Sequence, residues 1–284
     1  QKRMKKESQL NRSNSNIPFP GWDNLEKEKN EKKSLVWLSI KDSDGNIINN
    51  ISQPAKKGTS RISWNLRHST STPIDPDRVS SGQTRRWRSR GGPMAVPGKY
   101  TASLYLESNE KYRMLDGPVS FDVNSIRDGV LKGADYDTYN SYRNEYSKFQ
   151  SDLALINKMM SENSKMLNAY KTSASKALTE PGFLSKELND AEKTITQLEL
   201  QINGNSSRSE IGERNPPTIQ THLRVAGSGM RTTYGPTGLH KRSLAIAKKM
   251  LLELMPKVIK MNNKTLPLIK TKLKSINAPD VLRD

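Results

Sequence analysis

The sequence predicts an α+β chain of more than one module, an antiparallel β-sandwich followed by an elongated antiparallel three-helix bundle. Three observations predict it. Apolar residues alternate with period two between residues 34 and 124, and from Asp135 they change to steps of three and four. Only 33% of the 284 residues are hydrophobic and 6% aromatic, and mean hydropathy is −0.80. A single compact globule of that length would be richer in apolar residues, so narrow stripes on elongated pieces fit better.

Residues 1–33 read as an extended basic arm. Its charge-dense ends flank IPFPGWDNL, where Pro18, Pro20 and Gly21 exclude regular structure. Phe19 and Trp22 are the large apolar groups there and are candidate partner-binding anchors. Residues 34–128 read as the sandwich. Val36, Leu38 and Ile40 alternate with polar neighbours up to DSDGN, a hairpin signal, and Ile47, Ile48 and Ile51 resume beyond it. SRISWNLR places Ile62, Trp64 and Leu66 on one strand face, and PGKYTASLYLES, KYRML and PVSFDV supply further strands. A long basic loop, 69–96, interrupts them. Six or seven short strands without a helix between them suggest a sandwich of immunoglobulin or fibronectin-III type.

The bundle occupies 135–278. From Tyr139 to Ala177 twelve seam positions follow at 3,4 steps, and Asn163 is the one that is neither apolar nor aromatic. That predicts a helix over 135–177, roughly 65 Å long at 1.5 Å per residue. Glu180-Pro181-Gly182 ends it, and Leu184, Leu188, Ala191, Ile195, Leu198 and Ile202 mark a second helix over 183–203. Pro216-Pro217 opens a short helix, 216–226, which VAGSG breaks. The last helix, 238–277, slips register near Met261 and contains Pro256 and Pro267, which should kink or split it. The middle helix is about half the length of its neighbours, so the short 216–226 segment supplies the missing reach by stacking on its end.

The net charge is +18 and lies in patches. Residues 55–100 carry ten basic against two acidic side chains, residues 238–284 eleven against three, and residues 1–33 nine against five. A polyanion is therefore one candidate partner class. The sharpest local feature is TRRWRSR, where Arg85, Arg86, Arg88 and Arg90 surround Trp87. Guanidinium forks beside an aromatic plane suit phosphate or sulfate oxygens and stacked rings. The alternative is that Trp87 packs on a protein surface, Arg and Trp being common interface anchors. Lys248, Lys249, Lys257, Lys260, Lys264, Lys270, Lys272 and Lys274 mostly fall off the apolar stripe of the last helix and read as a solvated outer face.

Nothing in the sequence assembles for bond-making. His68, His222 and His240 lie in separate segments without ligand-spaced neighbours, and phosphate-cradling, nucleophile-elbow and HExxH patterns are missing. Asp42, Asp44 and Asn46 begin a calcium-loop spacing, but Gln53 stands where its closing acid would be, and a hairpin turn explains them better. No cysteine is present, which excludes disulfides and thiolate ligands without fixing a compartment. No apolar run reaches the ~18–20 residues of a membrane-spanning helix. No signal peptide is visible after Gln1, so a removed leader or a fragment of a longer protein is expected. The expectation is a chain that is not an enzyme, with no catalytic, cofactor or metal residues.

One family shares these pieces in this order: KRMKKES, IPFPGWDNL, SRISWNLR, GGPMAVPGKYTASLYL, the heptad helix, RNPPTIQTHL, TYGPTG and LMPKVIKMNNKTLPLIKTKLKSINAP. Together they resemble the C-terminal region of large bacterial sortilin-like proteins with BNR repeats, often labelled glycosyl hydrolases. The resemblance covers essentially the whole chain. Its most specific pieces are Pro97 to Thr101 and the last helix with its two prolines; the basic insert at 84–90 is longer than the family pattern. The resemblance implies a β-propeller upstream, an Ig-like sandwich and a helical tail, in the cell envelope or secreted. On that basis the expected function is a structural or protein-interaction module that supports the propeller or docks into an envelope complex. A polyanion-binding module and an accessory region of a BNR-type hydrolase are the alternatives. No catalytic residue of the family maps onto this chain.

Overall fold

A computed structural model describes residues 2–70, 73–74, 92–108, 111–126, 133–178, 180, 182–232 and 234–282. The chain is α+β, with one four-stranded antiparallel sheet and a set of helices. It divides into two compact units, residues 1–67 with 98–123, and residues 68–97 with 124–284. None of the described helices is long and apolar enough to cross a membrane.

The first unit opens with two helices, α1 (Lys2–Arg12) and α2 (Trp22–Asn30). This corrects the extended arm expected over 1–33. Lys, Glu and Gln dominate both segments and are good helix formers. Arg3 adds a tie between them: its Nε donates to Glu28 Oε2 at 2.7 Å, and its guanidinium also pairs with Glu7. The proline-glycine break falls between the two helices, as the sequence requires.

The sheet contains β1 (Leu35–Lys41), β2 (Ile47–Pro54), β3 (Gly98–Ser108) and β4 (Lys111–Val123), in the order β2–β1–β3–β4. Leu38 lies opposite Ile51 on one side and Leu104 on the other. The DSDGN hairpin forms as expected. Asp42 Oδ1 accepts from the backbone N–H of Asp44 and Asn46 at 3.1 and 2.8 Å, and Gly45 takes φ 82°. Two expectations fail here. KYRML and PVSFDV are one continuous strand, because irregularities beside Ala102 and Leu104 absorb the extra residues. Gly117 makes this approach feasible: at φ 104° a Cβ there would stand 2.7 Å from the Ala102 carbonyl oxygen.

The second failure is SRISWNLR, which is not a strand. Trp64 turns into the sheet, edge-on to Tyr100 (5.6 Å between centroids) and Phe121 (6.1 Å), and its Nε1 donates to Arg67 O at 2.8 Å. Leu66 takes a left-handed φ of 57°, which ends any pleat. Among the described residues the expected six or seven strands are therefore four, in one sheet.

The second unit is helical. Its elements are α3 (Tyr136–Ala174), α4 (Ser185–Asn203), α5 (Ser206–Glu210), α6 (Ile219–Ser228), α7 (Gly238–Lys260), a π-turn (Met261–Thr265) and α8 (Leu266–Ser275). The predicted seam is the buried face of α3, from Tyr142 through Phe149, Ile156 and Asn163 to Tyr170. It joins one core with Leu188, Ile195 and Leu198 of α4, Ile219 and Leu223 of α6, and the α7–α8 stripe from Leu244 to Leu273.

Contacts give the helix directions. Tyr142 reaches His240 O, and Ser173 Oγ donates to Pro279 O at 2.6 Å, so α7–α8 runs alongside α3 in the same sense. Lys171 pairs with Glu192 at 2.6 Å while Met160 borders the same groove as Ile202, so α4 runs the opposite way. Tyr142 Oη also donates to Ala226 O at 2.9 Å, and α6 continues the descent of α4. The register slip expected near Met261 is taken up by the π-turn, with Pro267 at the start of α8. VAGSG ends α6 as expected, at Ser228 with Gly229 as the C-cap, two residues beyond the expected boundary because Gly227 is a helical residue pressed against Tyr146. The short α5, between the predicted helices 183–203 and 216–226, is a further addition.

Candidate interaction site

Pro20 and Gly21 deliver the chain into α2, with Gly21 at φ 84° and Asn24 Nδ2 donating to Pro20 O at 2.7 Å. That puts Trp22 on the first turn and Phe19 just outside it. Their rings meet edge-to-face at 5.2 Å, a favourable arrangement of ring edge against ring face. Trp22 remains 77% exposed and Phe19 63% exposed. Met4, at 66%, and Ile17, at 42%, are further exposed apolar side chains in the same unit.

The electrostatics nearby are those of a braced surface. The carboxylates of Glu28 and Glu7 hold the Arg3 guanidinium above its already high ordinary value, chiefly through hydrogen bonds. An aromatic pair beside a permanently charged, already paired arginine can bury area and stack.

Arg85, Arg86, Trp87, Arg88 and Arg90 lie outside the described residues. Of the sequence-predicted anchors, the structure brings Phe19 and Trp22 together.

Two of the histidines, His240 and His68, have side-chain partners. His240 Nδ1 accepts from the Thr237 backbone N–H at 3.0 Å, completing a capping box at the start of α7. The signal for it was Thr237 three residues ahead, with histidine in the place usually taken by Glu or Gln. His68 Nε2 lies 2.8 Å from the guanidinium of Arg143, a buried arginine of α3. Among the described residues no three His, Cys, Asp or Glu side chains lie close enough to share an ion.

Sequence reasoning marked Asn163 as the polar position of the seam but missed what the Tyr142 hydroxyl does in the helical core. Burial pushes the Tyr142 phenol up to about 12, with Tyr146 and Glu145 adding to the shift. It is a neutral donor that ties α3 to α6 and α7. A 260 Å³ cavity lies between α3, the π-turn and α8, lined by Asn163, Met166, Tyr170, Asn262, Leu266 and neighbours. Asn163 is 1% exposed and its Nδ2 has no hydrogen-bond partner among the described residues.

No protein-family model, curated protein or solved structure matches the chain.

Proposed function

We propose that the chain is a non-catalytic structural and protein-interaction module that holds a β-propeller of sortilin-like type or docks into a cell-envelope assembly. The observation that carries it is the Phe19–Trp22 pair, packed on itself yet largely in water at the head of a short helix. A monomer gains little by holding two large rings in that state, and interface hot spots are rich in such anchors. In this reading the sheet is one layer of an Ig-like sandwich, and α3, α4 with α6, and α7–α8 are the legs of a three-helix bundle. The up, down, up sense of those legs supports it. The envelope or secreted location and the upstream propeller follow from the resemblance.

The test is co-fractionation. In an envelope extract of the native source, the wild-type chain is expected in a species well above its own 32.0 kDa. Trp22→Ala with Phe19→Ala is expected to release it as the free chain. Equal elution of both variants would remove the anchor role, and glycosidase turnover by the 284-residue chain would overturn the non-catalytic reading.

The net charge of +18 favours a second reading, a polyanion-binding module acting through 84–90. Retention on a heparin column that falls steeply with salt and is lost on charge reversal of Arg85, Arg86 and Arg88 would support it.

A further inference from the structure

The last helix carries a second apolar stripe that the core does not use. Leu244, Ala247, Leu251, Leu254 and Val258 are buried in the helical core. Ala245, Leu252 and Ile259 recur at steps of seven on a flank of the helix, about 120° round from those residues, with Lys249 and Pro256 at the intervening heptad positions. Leu252 is 68% exposed and Ile259 41%, and beyond the π-turn Leu268 continues the exposed apolar series at 57%. From Ala245 to Leu268 the stripe is about 35 Å long at 1.5 Å per residue.

Charge frames it. Gly238–Ser275 holds ten basic side chains and one acid, Glu253. Lys248 and Lys272, toward the core, are already paired with Glu145 and Glu187. Lys249, Lys257, Lys260 and Lys264 are exposed on the side of the stripe away from the core and form no ion pair with a described residue. An exposed leucine-isoleucine stripe bordered on its solvent side by unpaired lysines is complementary to a surface with apolar groups beside a row of carboxylates. Its spacing of seven matches one helix laid along another, with opposite charges along the outer edge. A membrane surface fits less well, because the helix has no Trp, Tyr or Phe to seat at a lipid interface.

We propose that the outer face of α7–α8 is a docking surface for an acidic amphipathic helix of a partner protein, roughly 20–25 residues long to match the stripe. It is separate from the Phe19–Trp22 pair and stands or falls without it. The probe is a fluorescent 28-residue peptide with Leu at heptad positions a and d and Glu at e and g, titrated into the full chain and read by anisotropy. Saturable binding is expected. It should weaken at least ten-fold in Leu252→Gln/Ile259→Gln and also in Lys249→Glu/Lys260→Glu, and stay unchanged in Trp22→Ala. A peptide with Lys in place of Glu should not bind. The substituted side chains are exposed, so the variants should melt with wild type; the charge-reversal pair keeps the test open if the glutamine pair does not. Absence of saturable binding to wild type, or equal binding by both double variants, overturns the proposal. So does sedimentation with phosphatidylserine vesicles that depends on the same residues while the peptide is ignored, since that assigns the face to lipid.

Discussion

Gly227 shows how one residue without a side chain sets a helix crossing. A Cβ there would lie 2.6 Å from Tyr146 Oη, inside any real contact. Tyr146 is itself in the core, and burial raises its phenol above the ordinary value. Gly227→Ala is therefore expected to destabilise the chain by ~1–3 kcal/mol through overpacking, despite the better helix propensity of alanine. Tyr146→Phe in the same chain removes the clashing oxygen and should recover most of the loss; thermal melts of the two variants and their combination measure it. If Gly227→Ala alone raises the melting temperature, the close approach is wrong. Asn163 presents the opposite case. A buried amide with an unpartnered Nδ2 costs stability, and the sequence marks the position only as an interruption of the seam. Whether such an interruption is a register device or faces a cavity is decided by what stands across from it. Here that is the cavity beside the π-turn and Pro267.

At the scale of elements, α3 depends on how it starts. Asp135 accepts from the Thr138 backbone N–H and from its hydroxyl, both at 2.7 Å. Those two bonds hold its carboxyl below the ordinary value of 3.8. A carboxylate with a lowered folded-state value stabilises the fold above its unfolded value, and that contribution is lost as pH falls through the folded value. Asp135→Ala should thus melt lower than wild type at neutral pH by a gap that stays level down to about pH 5 and closes below 3.8. A gap that persists at acid pH would mean the charge and its bonds are not what Asp135 contributes. Elements also differ in how plainly the sequence declares them. The α3 stripe is legible because each turn repeats the last, so 3,4 spacing by itself names the buried face. The slip at Met261 is legible for the same reason, and the π-turn is its physical form. SRISWNLR alternates as well as any strand, yet Trp64 is drawn to Tyr100 and Phe121, far along the chain. α1 and α2 were masked by the proline-glycine break between them, which is real but short.

At the scale of the whole molecule, the two units have unequal cores. The helical unit buries a continuous set from Tyr142 to Leu273, whereas the sheet unit buries Ile40, Ile48 and Tyr100 among its described hydrophobic residues. The smaller core should open first. Three of the four tryptophans, Trp22, Trp37 and Trp64, belong to the sheet unit, and Trp87→Phe, within the 68–97 stretch grouped with the helices, leaves a signal that reports on the sheet unit alone. Tryptophan fluorescence should lose its native signal at a lower denaturant concentration than the helical circular dichroism at 222 nm, which is dominated by α3, α4 and α7. Coincident midpoints would show one cooperative body in place of two.

Periodicity was enough to establish from sequence the mixed α+β class, the DSDGN hairpin, the buried face of α3 and the broken last helix, because amphipathic patterning is a local property that every turn or residue pair repeats. The tertiary structure alone decided that β4 is one bulged strand, that Trp64 leaves the sheet ladder to cap it, and that Gly227 lies against Tyr146. Each of those depends on a partner distant along the chain, and the free energy of a contact is set by distance in space, which no local pattern encodes.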